Sequence, residues 1–123
     1  MKTILISVCL LLSGCGVLPS KWDLNQARAI TDARIDANQI DCAKDVKPPL
    51  KKLETDLEWL AAYSTYRDNQ DINDMIDTVQ QTVLEFQTAV DTNKSNFVYC
   101  QLKKALITQQ IDIIGHTIKG SLK

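Results

Sequence analysis

The sequence predicts an all-α fold, a small antiparallel up-down-up-down bundle of four helices with one disulfide bond. Apolar residues recur at spacings of three and four in four successive segments, which is the pattern of a helix with one buried face. No segment shows the apolar-polar alternation of a β-strand, and glycine is rare, with 4 in 123 residues. The breaks between the later segments are short, which favours neighbouring helices that run in opposite directions.

The first two helices flank a pair of prolines. The first is expected from about residue 22 to residue 44, with Ser20 as its cap, and Pro48-Pro49 prevents it from continuing. Its apolar stripe consists of Ala27, Ile30, Ala33, Ala37 and Ile40. The second helix starts just after the break, since proline is tolerated in a first turn. Its stripe consists of Leu50, Leu53, Leu57, Leu60 and Ser64.

The last two helices are separated by polar breaks. Residues 67–71 precede the third helix, whose stripe consists of Ile72, Ile76, Val79, Val83, Phe86 and Val90. Residues 91–96 form the next break, in which Ser95 is expected to cap the fourth helix. This helix ends at Gly120, and its stripe consists of Ile107, Ile111, Ile114 and Ile118. Such spacings are typical of helices that pack nearly antiparallel in a bundle.

Residues 1–14 have the three parts of an export signal. Lys2 and the amino terminus supply positive charge, residues 3–12 are almost wholly apolar, and Gly14 is the small residue that cleavage requires. The alternatives are a membrane-spanning helix and a plain secretory signal that happens to end near a cysteine. A span needs about 20 apolar residues, and this run has roughly half of that length, so a signal peptide is favoured.

The tetrapeptide Leu12-Ser13-Gly14-Cys15 resembles the lipobox of bacterial lipoproteins, in which an aliphatic residue and two small residues precede a cysteine. The resemblance implies cleavage before Cys15, whose sulfur would carry diacylglycerol and whose new amino terminus would carry a further acyl chain, typically palmitate. Gly16 stands where an aspartate would mark retention in the inner membrane, which favours the periplasmic face of the outer membrane. The chain then divides into a signal peptide (1–14), a lipidated tether (15–21) and a helical domain (22–123).

The tether is short and would hold the domain close to its membrane. Residues 16–21 span about 20 Å even when fully extended. In an up-down-up-down path, the break at 67–71 and the carboxyl terminus would face the lipid. The turns at 45–49 and 91–96 would point away from it.

Two cysteines, Cys42 and Cys100, remain after Cys9 is removed with the signal and Cys15 carries lipid. The periplasm is oxidising, so a disulfide bond is expected, with two buried free thiols as the alternative. Cys42 lies near the end of the first helix and Cys100 near the start of the fourth, which places both at one end of an up-down-up-down bundle. The bridge would then join two neighbouring helices at the same level.

Composition and motifs point away from catalysis and from nucleic acid. Loss of Lys2 leaves 13 basic against 15 acidic residues, a net charge of about −2 without a basic excess. His116 is the single histidine and is expected to pair with Asp112 one turn earlier. No metal-ligand spacing, glycine-rich phosphate loop or nucleophile motif occurs. Asp32 with Asp36, and Asp71 with Asp74, are interpreted as solvated helix faces or as charges at helix starts. Neither an enzyme nor a cofactor is expected.

Three aromatic residues of the second helix, Trp59, Tyr63 and Tyr66, are predicted on the side opposite its leucine stripe. Aromatic residues on an otherwise polar face are the composition of a binding surface for a partner protein or a second copy. Two alternatives stay open. Neighbouring loops could cover these side chains, or the three could touch lipid headgroups together with Trp22, since Trp and Tyr favour that interface.

The fourth helix has a second apolar strip, Leu102, Leu106 and Ile113, beside its isoleucine stripe. Nearly half of its circumference is therefore apolar. The favoured interpretation is that it is the most buried helix of the bundle. The alternative is an interface between copies of a homo-oligomer.

These features lead to a leading hypothesis and two others. The chain is expected to be a non-enzymatic lipoprotein of the cell envelope that is anchored by acyl chains on Cys15 and binds a membrane-proximal protein partner. The second hypothesis is a phage- or plasmid-encoded lipoprotein that acts in lysis or in superinfection exclusion, by class-level analogy. The third is an envelope enzyme or small-ligand carrier, which would need a deep polar cleft around His116 or a hollow bundle.

Overall fold

A computed structural model describes residues 23–120 of the chain as four α-helices. The helices are α1 (Leu24–Asn38), α2 (Lys47–Tyr66), α3 (Gln70–Asp91) and α4 (Phe97–Gly120). The predicted signal peptide, the predicted tether with Cys15, and Trp22 lie outside the described residues. The predicted number and order of helices are confirmed, and the described range 23–120 contains no β-strand.

The helices form a ring in which α1 packs on α2, α2 on α3, α3 on α4, and α4 on α1. Short connections between successive helices make each one antiparallel to the next, so the up-down-up-down bundle is confirmed. In such a ring α2 and α4 occupy diagonal positions. Their outward faces therefore point to opposite sides of the molecule.

The predicted apolar stripes meet in one core. Its fully buried side chains come from all four helices and include Ala33, Leu53, Leu57, Ile76, Val79, Phe86, Ile107 and Ile111. Ser64 in the leucine stripe is also buried, and its Oγ accepts a hydrogen bond of 2.9 Å from Gln26 Nε2 of α1. This bond satisfies both polar groups, so the stripe tolerates a serine at that position.

The amino ends of α1 and α4 differ from the predicted ones by a few residues. α1 is capped by Asp23 rather than Ser20, because Asp23 Oδ1 accepts the backbone N–H groups of Asn25 and Gln26 at 2.9 and 3.2 Å. α4 is capped by Asn96 rather than Ser95, because Asn96 Oδ1 accepts the N–H of Tyr99 at 2.8 Å. Aspartate, asparagine and serine all rank among the best capping residues. The sequence therefore did not distinguish Asp23 from Ser20, or Asn96 from Ser95, as the cap.

α1 ends at Asn38, six residues before the predicted boundary at residue 44. The carboxylates of Asp41 and Asp45 accept the N–H groups two residues ahead of them, from Ala43 and Lys47, each at 3.0 Å. Such local turns compete with helix formation. The connection they form delivers Cys42 to the start of α4.

The end of the bundle that holds the turns at 39–46 and 92–96 carries the disulfide bond. Cys42 and Cys100 are bridged, with their Cα atoms 5.8 Å apart, as predicted. Lys104 Nζ donates a hydrogen bond of 2.6 Å to the Ile40 carbonyl and ties the same connection to α4. We call this the bridged end, and the opposite end, with Asp23 and the turn at 67–69, the α1 entrance.

Candidate functional site

Trp59, Tyr63 and Tyr66 lie on one side of α2, near the α1 entrance. Trp59 is 50% exposed and Tyr66 is 86% exposed. The rings of Trp59 and Tyr63 stack with centroids 5.1 Å apart and planes 7° from parallel. Stacking fixes the orientation of both rings, and a rigid, half-exposed aromatic pair is what binding surfaces use as an anchor. We call these three residues the aromatic patch.

Tyr63 also has a structural contact that the sequence did not reveal. Its hydroxyl donates a hydrogen bond of 2.7 Å to Asp23 Oδ2, and Arg67 Nε lies 3.3 Å from the same oxygen. This places Tyr63 against α1, half-buried, while Trp59 and Tyr66 stay more open to solvent. The aromatic patch is therefore oriented by a contact between α1 and α2.

The electrostatics of Asp23 support this contact. Burial raises the pKa of the Asp23 carboxyl, but hydrogen bonds from Tyr63, Gln26 and Asn25 and the charge of Arg67 outweigh it and hold the pKa below its usual value. The carboxylate therefore stays ionised and keeps accepting the Tyr63 hydroxyl.

A groove of about 270 Å³ runs beside Trp59 between α1 and α2. Its walls combine an indole ring, an amide, a guanidinium and two carboxylates. The lining residues are Asn25, Arg28, Ala29, Asp32, Asp56 and Trp59. A mixed wall of this kind suits a polar or charged side chain of a partner laid against the indole face.

A buried carboxylate lies at the α1–α2 contact below this groove. Asp36 is 2% exposed, so its interpretation as part of a solvated face is wrong. Its Oδ1 lies 2.8 Å from Lys52 Nζ. Its Oδ2 has no hydrogen-bond donor among residues 23–120 when the Asp56 carboxyl is ionised. A protonated Asp56 carboxyl can donate a hydrogen bond to Asp36. The hydrogen bond to Asp36, with burial and the Asp36 charge, raises the pKa of Asp56 to about 6.

The spacing of the apolar stripe in α1 could have predicted that Asp36 is buried. Asp36 lies three residues after Ala33 and four before Ile40, and both of these are fully buried. A polar residue at such a position faces the interior and needs a partner. Lys52 and Asp56 are one turn apart on α2, as two residues that face the same site should be.

The outward side of α4 exposes large apolar side chains. Leu102 is 67% exposed, and Leu106 and Ile113 are 39% and 49% exposed, so the expectation that α4 is the most buried helix is wrong for this side. Val98 and Gln109 are exposed on the same side. We call these five residues the α4 strip. Exposed contiguous apolar surface of this kind is typical of association sites.

His116 is exposed near the carboxyl end of α4. It borders an open groove of about 530 Å³ along the residues of α4 that follow Gln101. The predicted pair of His116 with Asp112 does not form, because Asp112 pairs with Arg34 of α1 at 3.2 Å. In the part of the chain that the structure describes, no three or more His, Cys, Asp or Glu side chains are grouped to hold a metal ion.

The aromatic patch and the α4 strip are two exposed surfaces of the bundle that carry large apolar or aromatic side chains. None of the helices within residues 23–120 combines the length and the apolar character that crossing a bilayer requires. Comparison with protein-family models, with curated proteins and with solved structures found no match for this chain.

Proposed function

We propose that this protein is a non-enzymatic lipoprotein of the bacterial envelope that binds a membrane-proximal protein partner through its aromatic patch. Acyl chains on Cys15 would anchor it at the periplasmic face of the outer membrane. The observation that carries the proposal is the stacked pair of Trp59 and Tyr63, with Tyr66 beside it on an exposed helix face.

The location of the aromatic patch supports a partner near the membrane. Tyr63 contacts Asp23, the residue at which the described chain begins, so the patch lies at the α1 entrance. The segment from Cys15 to Asp23 reaches at most about 28 Å when fully extended. A partner bound at the patch would therefore lie within a few tens of ångströms of the lipid.

The chemistry of the aromatic patch suits a protein better than a small molecule. The rings are open on one side and border a groove that mixes positive and negative groups, without a closed apolar cavity of the kind that holds a small ligand. Aromatic anchors with a polar rim are the anatomy of a protein interface.

The anchor is tested by replacing its sulfur. In cells that export the full chain, Cys15→Ser should abolish incorporation of labelled fatty acid and leave the uncleaved precursor. The natural protein and Cys42→Ser, which keeps the lipobox, serve as positive controls. Continued labelling of Cys15→Ser would refute the anchor.

Partner binding is tested on the lipidated protein in its own envelope by crosslinking and affinity recovery. Trp59→Ala combined with Tyr66→Ala should reduce recovery of the crosslinked partner at least tenfold without changing the melting temperature. Tyr63 is left in place because it also holds α1. Leu84→Ala is the matched control, since it removes a side chain that is 55% exposed on α3. Unchanged recovery from the double variant, or equal loss from Leu84→Ala, would contradict the proposal.

A further inference from the structure

The outward face of α4 carries no charge over four turns. Between Phe97 and Ile113, every strongly exposed side chain of this helix is uncharged. These residues are Phe97, Val98, Gln101, Leu102, Ala105, Leu106, Gln109 and Ile113. The outward faces of the other helices do carry exposed charges, such as Arg28 on α1, Glu58 on α2 and Asp77 on α3.

The charged residues that flank the α4 strip are engaged inside their own bundle. The contacts are Lys103 with Glu85 at 2.7 Å, Lys104 with the Ile40 carbonyl at 2.6 Å, and Asp112 with Arg34 at 3.2 Å. Depletion of charge at the centre, with polar groups at the rim, distinguishes the core of an interface from ordinary surface.

An uncharged face of this kind can pack against the same face of a second copy without charge repulsion. When two parallel helices meet about a two-fold axis, each residue near the axis faces the same residue of the partner, so any charge there would repel itself. Gln109, the polar member of the α4 strip, has a carboxamide that both donates and accepts, and two such groups can pair reciprocally. A single buried amide is also a known device for fixing the register of paired helices.

We propose that the α4 strip packs against the α4 strip of a second copy of this chain, with the two helices parallel. The parallel arrangement rests on the proposed function, because two copies anchored in one membrane must stand the same way up. Leu102, Leu106, Gln109 and Ile113 of one copy then face their own counterparts. The aromatic patch lies on the diagonal helix α2 and stays free for its partner.

The area of this contact makes the dimer weak in solution. Four turns of helix, about 24 Å long and about 10 Å wide, offer roughly 240 Å² per copy. Stable interfaces in solution bury about 800 Å² per partner. Confinement to one membrane raises the effective concentration of the two copies, so the dimer forms where the anchors are and dissociates when they are removed.

The test uses cysteine crosslinking of the full, lipidated chain in its native envelope. Gln109→Cys should form a disulfide-linked species of twice the monomer mass under mild oxidation, because residue 109 faces itself across the axis. Gln81→Cys is the matched control, since Gln81 is exposed on the outward face of α3 and should stay monomeric. Adding Leu102→Glu should reduce the Gln109→Cys dimer at least tenfold through self-repulsion, without lowering the melting temperature.

Fatty-acid labelling of the same samples separates this proposal from the proposed function. A labelled sample in which Gln109→Cys forms no dimer overturns the self-association and leaves the anchor standing. A dimer in an unlabelled sample overturns the anchor, and it also overturns the proposal that the contact depends on confinement to a membrane. Three other results would overturn the proposed dimer. Gln109→Cys could crosslink to a protein of another mass, or Gln81→Cys could crosslink equally well. The third result is a link that forms only between Leu102→Cys of one copy and Ile113→Cys of the other, because that pairing requires antiparallel helices.

Discussion

Asp23 joins three parts of the bundle through one carboxylate. One oxygen caps α1, and the other accepts the Tyr63 hydroxyl and lies beside Arg67. The sequence could predict a polar cap near this position, because caps are local. It could not predict the contact with Tyr63, since that residue is 40 positions away and only packing brings it near.

We expect Tyr63→Phe to destabilise the protein by about 1–2 kcal/mol, because a hydrogen bond to a largely buried carboxylate is lost while the ring and its stacking remain. Urea unfolding followed by circular dichroism measures this change. Tyr66→Phe is the control, and its effect should stay within about 0.5 kcal/mol because that residue is almost fully exposed. Equal effects of the two substitutions would show that the Asp23 contact does not stabilise the fold.

Asp36 and Asp56 form a second residue-scale feature, one that depends on pH. The pKa of Asp56 is about 6 in the folded protein, against 3.8 for the ordinary side chain, so the folded state holds this proton more tightly than the unfolded chain. The stabilisation is therefore complete below about pH 4 and is lost as the pH rises through about 6. Lys52 and Asp32 face the same pair, and only Lys52 opposes the shift.

We expect Asp56→Asn to raise the melting temperature at pH 7.5 and to flatten its pH dependence between about pH 4 and pH 7, because an amide donates to Asp36 at every pH. Thermal unfolding across this range measures both effects. Asp77→Asn, an exposed position on α3, changes the same charge and should leave the pH dependence unaltered. Identical pH profiles for natural protein and Asp56→Asn would exclude a shared proton.

At the scale of the helix, periodicity predicted each inward face well because burial repeats with the turn of the helix. All four stripes lie in the core, with Ala27 and Val90 only half-buried at its edges. Periodicity failed for the outer side of α4. An apolar side chain signals burial only if a neighbouring helix is available to cover it, and a ring of four helices leaves one side of each helix open.

Two leucines of the bundle should therefore respond differently to the same substitution. We expect Leu57→Ala in α2 to cost about 2–5 kcal/mol, because it leaves a cavity in the core. Leu102→Ala in α4 should cost at most about 0.5 kcal/mol in the monomer, because that side chain is mostly in water. Denaturant midpoints of the two variants, each compared with the natural protein in the same detergent, check this difference. A large loss for Leu102→Ala would mean that the α4 strip serves folding.

At the scale of the whole molecule, topology was predictable because two independent signals agreed. Short connections favoured antiparallel neighbours, and the positions of Cys42 and Cys100 required α1 and α4 to meet at the same end. The aromatic patch has Trp59 and Tyr66 exposed and Tyr63 half-buried against α1. The contact of Tyr63 with Asp23 and the exposure of the α4 strip were not predictable from the sequence. Both follow from how the four helices pack in the ring, and the spacing of residues along the chain does not contain that information.

The disulfide bond closes a loop of 58 residues that contains α2 and α3. We expect Cys42→Ser with Cys100→Ser to lower the free energy of unfolding by about 4 kcal/mol on the chain-entropy model, mainly by releasing the unfolded chain. Urea unfolding of oxidised natural protein and of the double variant measures this loss. Reducing agent should shift the natural protein on a non-reducing gel and leave the variant unchanged. A natural protein that shows no such shift would contradict the bridge.

The disulfide-closed loop also determines which parts of the chain can be stretched by a pulling force. A force that pulls the two ends of the chain apart acts through α1 and α4. The Cys42–Cys100 bond carries this force, so the loop of residues between the two cysteines, which contains α2 and α3, is not stretched. Among residues 23–120, the two outer arms 23–41 and 101–120 can then extend, and their fully extended length is about 130 Å. The hairpin of α2 and α3 is shielded from tension. Under a pull on both termini, the arms would thus extend while the helix that bears the aromatic rings carries no tension.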